Sequence, residues 1–330
     1  MKYILELGEP LVRTYPQHTN LFSILSRNSI YLDWFYSHFA ALSCPETFPS
    51  DFDKIVNYFS YDQQYPFYEG SPFVSNYSED RCSSAQIVDK LLDHIEQGRY
   101  IAVYLNDFYV PYRNFSEDYY HDLMIYGFDS SEGQFEVLGF DGRGYPSRQQ
   151  LAFSDLIEAY RSTNNALEDN KLPFYMKKDW IYEFNENVSI PFDRNRFQFL
   201  LKCHQKSQSF AFETEDNYIF GMNVYDSLLE HLQMVEKHSV KLDHRAFYLI
   251  WEHKKIMNDR LRYMYLNHFA DHNQSLLHQA ELILNKAQII RNLTIRARVV
   301  SGSISTIAIS EKCKEMREME ERFIEDIMKA

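Results

Sequence analysis

The chain has 330 residues, 45% of them apolar and 25% charged, enough to pack one large domain or two modest ones. Asp and Glu outnumber Lys and Arg by 47 to 34, giving a net charge of −13. With no basic arm or stripe, that balance argues against phosphate backbones, and no nucleic-acid partner is expected.

No apolar run approaches the about 20 residues of a membrane span. The opening stretch MKYILELGEPLVRTY has neither a basic leader with a long apolar run nor a small-residue cleavage site. Cys44, Cys82, Cys203 and Cys313 are scattered without CxxC spacing. Together these features predict reduced thiols in a cytoplasmic protein with no membrane partner. Aromatic residues reach 16%, with 25 Tyr and 25 Phe against only 10 Gly. Such a chain can build either a Tyr-rich core and rim or a groove that grips a flexible ligand.

In chain order, Lys2 to Leu7 predicts a short strand broken by Glu9-Pro10. Apolar residues recur at helical spacing from Asn20 to Leu42, and Arg27-Asn28-Ser29 divides that run into two helices. Pro45 to Arg81 is rich in Pro, Tyr, Asp and Ser and is expected to be a long loop. Ser83-Ser84 caps an amphipathic helix over Ala85–Gln97, which Gly98 stops. Tyr100–Leu105 predicts a strand, and Leu123–Phe128 with Phe135–Phe140 predicts a hairpin around a polar turn. Ser154 opens a helix to about Arg161, and a polar linker is expected over Asn164–Lys171. A strand at Trp180–Phe184 lies in a bridging segment of mixed structure. Helices are then expected at Asn223–His238, Asp243–His272, Gln274–Val300 and Ser303–Met328. The implied organisation is an α+β domain over residues 1–165, a bridge over 166–220 and a helical bundle over 221–330.

The segment YYHDLMIYGFDSSEGQFEVLGFD carries the strongest chemical signal. His121 opens one strand and Asp141 closes the next, so antiparallel pairing would set the imidazole beside a carboxylate able to fix its tautomer. A solvated histidine at a strand end is the competing reading. His268 and His272 share a helix face as metal ligands would, but Phe269 stands where an HExxH motif needs Glu. No metal and no cofactor are expected.

The stretch from Gly98 to Tyr160, GRYIAVYLNDFYVPYRN…YYHDLMIYGFD…FEVLGFDGRGYPSRQQLAFSDLIEAY, resembles the papain-like fold of bacteriocin-processing double-glycine peptidases. It is still more similar to the N-terminal domain of the butirosin biosynthesis protein H family. That resemblance implies a papain-like α+β domain with an antiparallel sheet, and acyl transfer in natural-product biosynthesis. A carrier-bound acyl or peptidyl group would pass to an amine or water, so an acyl or peptidyl carrier protein and a small amine are the implied partners.

Within the family pattern the histidine falls on His121 and the aspartate on Asp141, while Asp107 and Tyr109 would line the groove. The nucleophilic cysteine, which should open the first long helix, is absent from Tyr15-Pro16-Gln17-His18-Thr19-Asn20. Gln17 could fill the oxyanion-stabilising place, and Thr19 or Ser23 could offer a weaker hydroxyl nucleophile. His18, Asn20, Tyr119 and Tyr120 are the further substrate-binding candidates. Cys82, just ahead of a helix start, is an alternative thiol, whereas Cys44 reads as following a helix. Two functional readings stay open: an amide-forming acyltransferase using His121 as base, and a catalytically silent relative that binds a peptide or acyl metabolite. The helical domain offers a surface for a homodimer.

Overall fold

The computed structural model describes residues 1–51, 54–59, 71–209, 217–299 and 306–329. The chain is mixed α+β and forms two compact units, Met1–Ser29 with Tyr65–Ser189 and Ile30–Gln64 with Ile190–Ala330. The chain thus passes from one unit to the other at 29/30, 64/65 and 189/190, rather than at the expected 165 and 220.

The first unit is built on an antiparallel sheet of seven strands. These are β1 (Lys2–Ile4), β4 (Val74–Asp80), β5 (Tyr100–Asn106), β6 (Tyr120–Asp129), β7 (Gln134–Phe140), β8 (Pro146–Ala152) and β9 (Lys178–Phe184). Their order is β4-β9-β5-β6-β7-β8, and β1 pairs with the far half of β6, Lys2 opposite Asp129. β5 and β6 are central, and Tyr100–Leu105 and Leu123–Phe128 within them are apolar, so both faces can be covered there. Helix α1 (Pro16–Leu25) precedes the sheet, α3 (Ile87–Glu96) packs on β5 and β6, and α4 (Phe153–Glu168) packs on β5. α3 buries Ile87, Leu91 and Ile95, one helical stripe, completely.

β9 lies between β4 and β5. The expected bridge therefore supplies an interior strand of the sheet. α4 also runs through the predicted linker, because Leu156, Ala159, Tyr160, Thr163 and Ala166 continue one buried stripe.

The second unit contains α2 (Leu32–His38), β2 (Ala41–Pro45), β3 (Asn57–Phe59) and α5 (Arg194–Lys206), followed by β10 (Tyr218–Phe220). The helical region after it comprises α6 (Val224–Glu236), α7 (His244–Leu266), α8 (Gln274–Val299) and α9 (Thr306–Lys329). α7 packs on α8, α8 on α9, and α6 on α9. Asp193 and Asp243 cap α5 and α7 by accepting from the backbone N–H groups of Arg196 and Arg245. Arg260, fully buried, donates to the carbonyls of Tyr36 and Phe39, satisfying acceptors at the C-terminal end of α2.

A buried charged cluster also lies in this unit. Glu320 contacts Lys254 and sits 3.4 Å from His204 Nε2, and it accepts from the Tyr225 hydroxyl at 2.6 Å. His253 lies 2.9 Å from Lys254 Nζ and hydrogen-bonds the Ala40 carbonyl at 3.0 Å. Among the described residues, no helix is long and apolar enough to cross a membrane.

Candidate functional site

The end of β5 and the start of β6 build the site. Across the β5–β6 ladder, His121 stands opposite Leu105 and Tyr120 opposite Asn106. Asn106 is fully buried and organises the connection that follows. Its Oδ1 accepts from the N–H of Phe108 and of Tyr119, while its Nδ2 donates to Asp118 Oδ1 at 2.7 Å and Ser162 Oγ at 2.9 Å. Two 3-10 turns, Asp107–Tyr109 and Pro111–Arg113, then fold Arg113 inward.

Arg113 is only 2% exposed and pairs with the equally buried Asp107. Its Nη2 also donates to the Asp122 carbonyl at 3.0 Å. Burial disfavours the guanidinium, but Asp107 outweighs that penalty and holds Arg113 charged. Gly139 and Gly142 make room for this residue. A Cβ on Gly139 would fall 2.5 Å from Arg113 Nη2, and one on Gly142 would fall 2.6 Å from the Arg113 carbonyl.

Beside this insertion, His121 meets a carboxylate other than the expected one. The β6–β7 ladder runs through Met124 opposite Leu138, and the same register continued would set His121 across from Asp141. Arg113 takes the Asp122 carbonyl there instead. The Asp141 carboxylate closes its own turn, accepting from the backbone N–H groups of Arg143 and Tyr145 and from the Arg143 guanidinium. The expected His121–Asp141 pair is therefore corrected to His121–Asp122.

His121 Nδ1 lies 3.0 Å from Asp122 Oδ1 and 3.2 Å from the Asp122 carbonyl. Asp122 Oδ2 in turn accepts from Asn20 Nδ2 at 3.1 Å, which ties α1 to the start of β6. The order Asn20–Asp122–His121 orients a carboxylate and, through it, an imidazole. An Nδ1–H facing Asp122 leaves Nε2 as the proton-accepting nitrogen on a side chain that is 28% exposed. Burial opposes the imidazolium, yet the Asp122 hydrogen bond and charge prevail, and His121 is raised above its ordinary 6.5. Asp122 moves the other way: burial would raise it, but His121 and Arg113 hold it below the usual carboxylate range.

Rings surround the imidazole. Tyr119 stacks on it at 5.9 Å and on Phe115 at 4.7 Å, and Phe140 lies tilted at 6.5 Å on the same imidazole. Phe108, Tyr109, Phe115 and Tyr119 are exposed.

The other expected residues fall as follows. Tyr109 is in the first 3-10 turn with its ring edge-on to Phe108 at 5.0 Å. Asp107 is a structural partner of Arg113 rather than a groove surface, because it is 1% exposed. Tyr120 is half-buried and donates to Asp118. Gln17 is half-buried in the first turn of α1, and His18 is buried with its ring edge-on to Tyr15 at 5.3 Å. The Thr19 hydroxyl, also buried, donates to the Arg13 carbonyl, which turns it away from a nucleophile's role. Ser23 is buried too.

None of the cysteines joins the site. Cys82 contacts Tyr160, and burial pushes its thiol up. It precedes α3, which begins only at Ile87. Cys44 follows α2 as expected but lies within β2 and not at the helix C-terminus, and its thiol is pushed up to about 11; Cys203 is also raised, and Cys313 is pushed up to about 12. Burial is the leading cause in each case. Among the described residues, no group of three or more His, Cys, Asp or Glu could hold a metal ion.

Asp122 and Arg113 are the residues of this candidate site that sequence reasoning missed. The dipeptide His121-Asp122 was visible, but strand alternation argues that neighbouring side chains diverge. No protein-family model matches this chain, and no curated protein matches it.

Proposed function

We propose that the first unit is a papain-like acyl-transfer domain in which His121 serves as general base, oriented by Asp122 and, behind it, Asn20. The reading rests on one observation: a partly exposed imidazole whose Nδ1 meets a carboxylate that is itself anchored on α1. The substrates this chemistry suits are a carrier-bound acyl or peptidyl thioester and a small amine. Nε2 takes a proton from the amine as its nitrogen attacks the thioester carbonyl. The C–N bond forms, the C–S bond breaks, and the imidazolium returns a proton to the departing thiolate. No acyl-enzyme is required, which fits a site without a thiol, and proximity plus base catalysis carry the rate.

The direct test supplies N-acetylcysteamine thioesters with a panel of amines and follows amide formation by mass spectrometry. His121→Ala should reduce turnover by about 10²–10⁴-fold, the usual worth of a positioned base. An unchanged rate in that variant removes the assignment.

A second reading is a catalytically silent domain that binds a peptide or acyl metabolite. It is favoured by the four thiols, all raised by burial. It expects ligand-induced thermal stabilisation with no turnover on long incubation.

A further inference from the structure

The His121 side chain is 28% exposed, so its solvent side contributes no packing to hold the ring plane. A half-turn about the Cβ–Cγ bond would carry Nδ1 away from Asp122 and put a carbon in its place. Terminal torsions of this kind have broad, roughly two-fold wells; the Asp122 hydrogen bond selects one of the two, and a ring lying against the imidazole narrows it.

The ring of Tyr119 is the flattest neighbour. It lies 23° from the plane of His121 at 5.9 Å, whereas Phe140 is tilted by 50° and more distant at 6.5 Å. Tyr119 is itself fixed at both main-chain atoms. Its N–H donates to Asn106 Oδ1 at 3.2 Å, and its carbonyl accepts from the Asp107 N–H at 2.7 Å. On its other side it stacks on Phe115 with an angle of 6° between the rings. Yet Tyr119 is 48% exposed and Phe115 39% exposed, so core burial alone does not account for two ordered rings.

We propose that Tyr119, anchored by Asn106 and Asp107 and backed by Phe115, is a positioning residue that holds the plane of the His121 ring in line with Asp122, whose hydrogen bond fixes Nδ1 as the facing atom. This deepens the base assignment and rests on it for its functional meaning, but the ring orientation can be observed without any turnover. The charged groups facing the imidazole are Asp122 on β6 together with Asp107 and Arg113 from the two 3-10 turns. None of the three is itself altered when Tyr119 alone is changed.

The experiment compares ring-nitrogen NMR spectra of the whole chain as wild type, Tyr119→Phe, Tyr119→Leu and Phe115→Leu. The His121 signals are assigned by their loss in His121→Gln, and far-UV circular dichroism establishes that each variant is folded. Wild type and Tyr119→Phe should share one neutral tautomer, with the proton on Nδ1, and the same raised titration midpoint. Tyr119→Leu should shift toward the mixed tautomers of a free imidazole, with its midpoint falling toward 6.5, and Phe115→Leu should do so partially. In the thioester assay Tyr119→Leu should lower kcat about tenfold with KM unchanged, because a misoriented base weakens the chemical step and not binding.

A Tyr119→Leu protein that retains the wild-type tautomer and midpoint overturns the proposal. So does a Tyr119→Phe protein that loses them, since the hydroxyl and not the ring face would then be responsible. If the NMR outcome is as expected while no thioester reacts in any variant, the positioning stands and the acyl-transfer reading falls.

Discussion

Glu320→Gln keeps the shape of the side chain and removes the carboxylate that pairs with Lys254 in the buried cluster of the second unit. In the wild type, Lys254 and Glu320 are 2% and 3% exposed at their side chains, so neither charge has water to fall back on. Burial lowers the affinity of Lys254 for its proton, while Lys254 and His204 hold Glu320 well below the usual carboxylate range against its own burial. After substitution, Lys254 Nζ keeps His253 Nδ1 at 2.9 Å as a neutral partner. Breaking a buried pair from one side costs about 3–5 kcal/mol, and a domain has about 5–15 kcal/mol in total.

Lys254→Met strands the opposite charge and should cost a similar amount. If the two losses were independent, the double variant would lose about 6–10 kcal/mol and would not fold. Because each single change is penalised by the partner left behind, the double variant should instead return to within about 2 kcal/mol of wild type, a coupling of at least about 4 kcal/mol. Urea denaturation followed by far-UV ellipticity reads this directly, since α5 to α9 dominate the helical signal. Single variants that lose less than about 1 kcal/mol, or a double variant equal to their sum, refute the assignment of the cluster as an obligate ion pair.

The same cluster predicts acid sensitivity. Burial lowers both His204 and His253 below their ordinary 6.5, so below that pH the unfolded chain binds more protons than the folded one. Stability is then intact above 6.5 and drains as pH falls, by up to about 1.4 kcal/mol per pH unit for each histidine. Urea midpoints compared at neutral and mildly acidic pH check it, and equal values would contradict it. His121 runs the opposite way: raised by Asp122, its contribution is present below 6.5 and is lost as pH rises through its higher folded value. Gly139→Ala should cost about 1–3 kcal/mol by driving a Cβ into Arg113 Nη2 and Leu123, neither of which has free space. An unaltered unfolding midpoint would show that Arg113 can move aside.

The elements legible in the sequence were those whose apolar period was unbroken. β5, β6, β7, α3 and the long C-terminal helices all carry such a pattern, and their ends fall within a few residues of expectation, except that α7 stops at Leu266, short of the expected His272. β4 was hidden because VSNYSED presents polar side chains along an edge strand, and β8, PSRQQLA, for the same reason. α5 escaped because its stripe of Phe197, Leu200, Leu201 and His204 is embedded among Arg, Lys and Gln.

At the site, His121 and the neighbourhood of α1 could be read from strand order and helix position. The partner of His121 could not. Register arithmetic points to Asp141, but Asp141 closes its own turn with Arg143 and Tyr145, and Arg113, set by Asn106 and admitted by Gly139, takes the Asp122 carbonyl. Such a substitution depends on residues from three separate stretches, which no local pattern reveals.

The threading of the backbone has a consequence for how this polypeptide is made. β9, the innermost of the late strands, sits between β4 and β5, so the first sheet stays open until residue 184 has left the ribosome. Trp34, Phe35, Phe39 and Leu42, synthesised far earlier, belong to the unit completed by Ile190–Ala330. A nascent chain halted near residue 189 would therefore display a greasy segment with nothing to cover it, an obvious target for chaperones or for aggregation. For the same reason, no single cut releases either half as a self-sufficient piece.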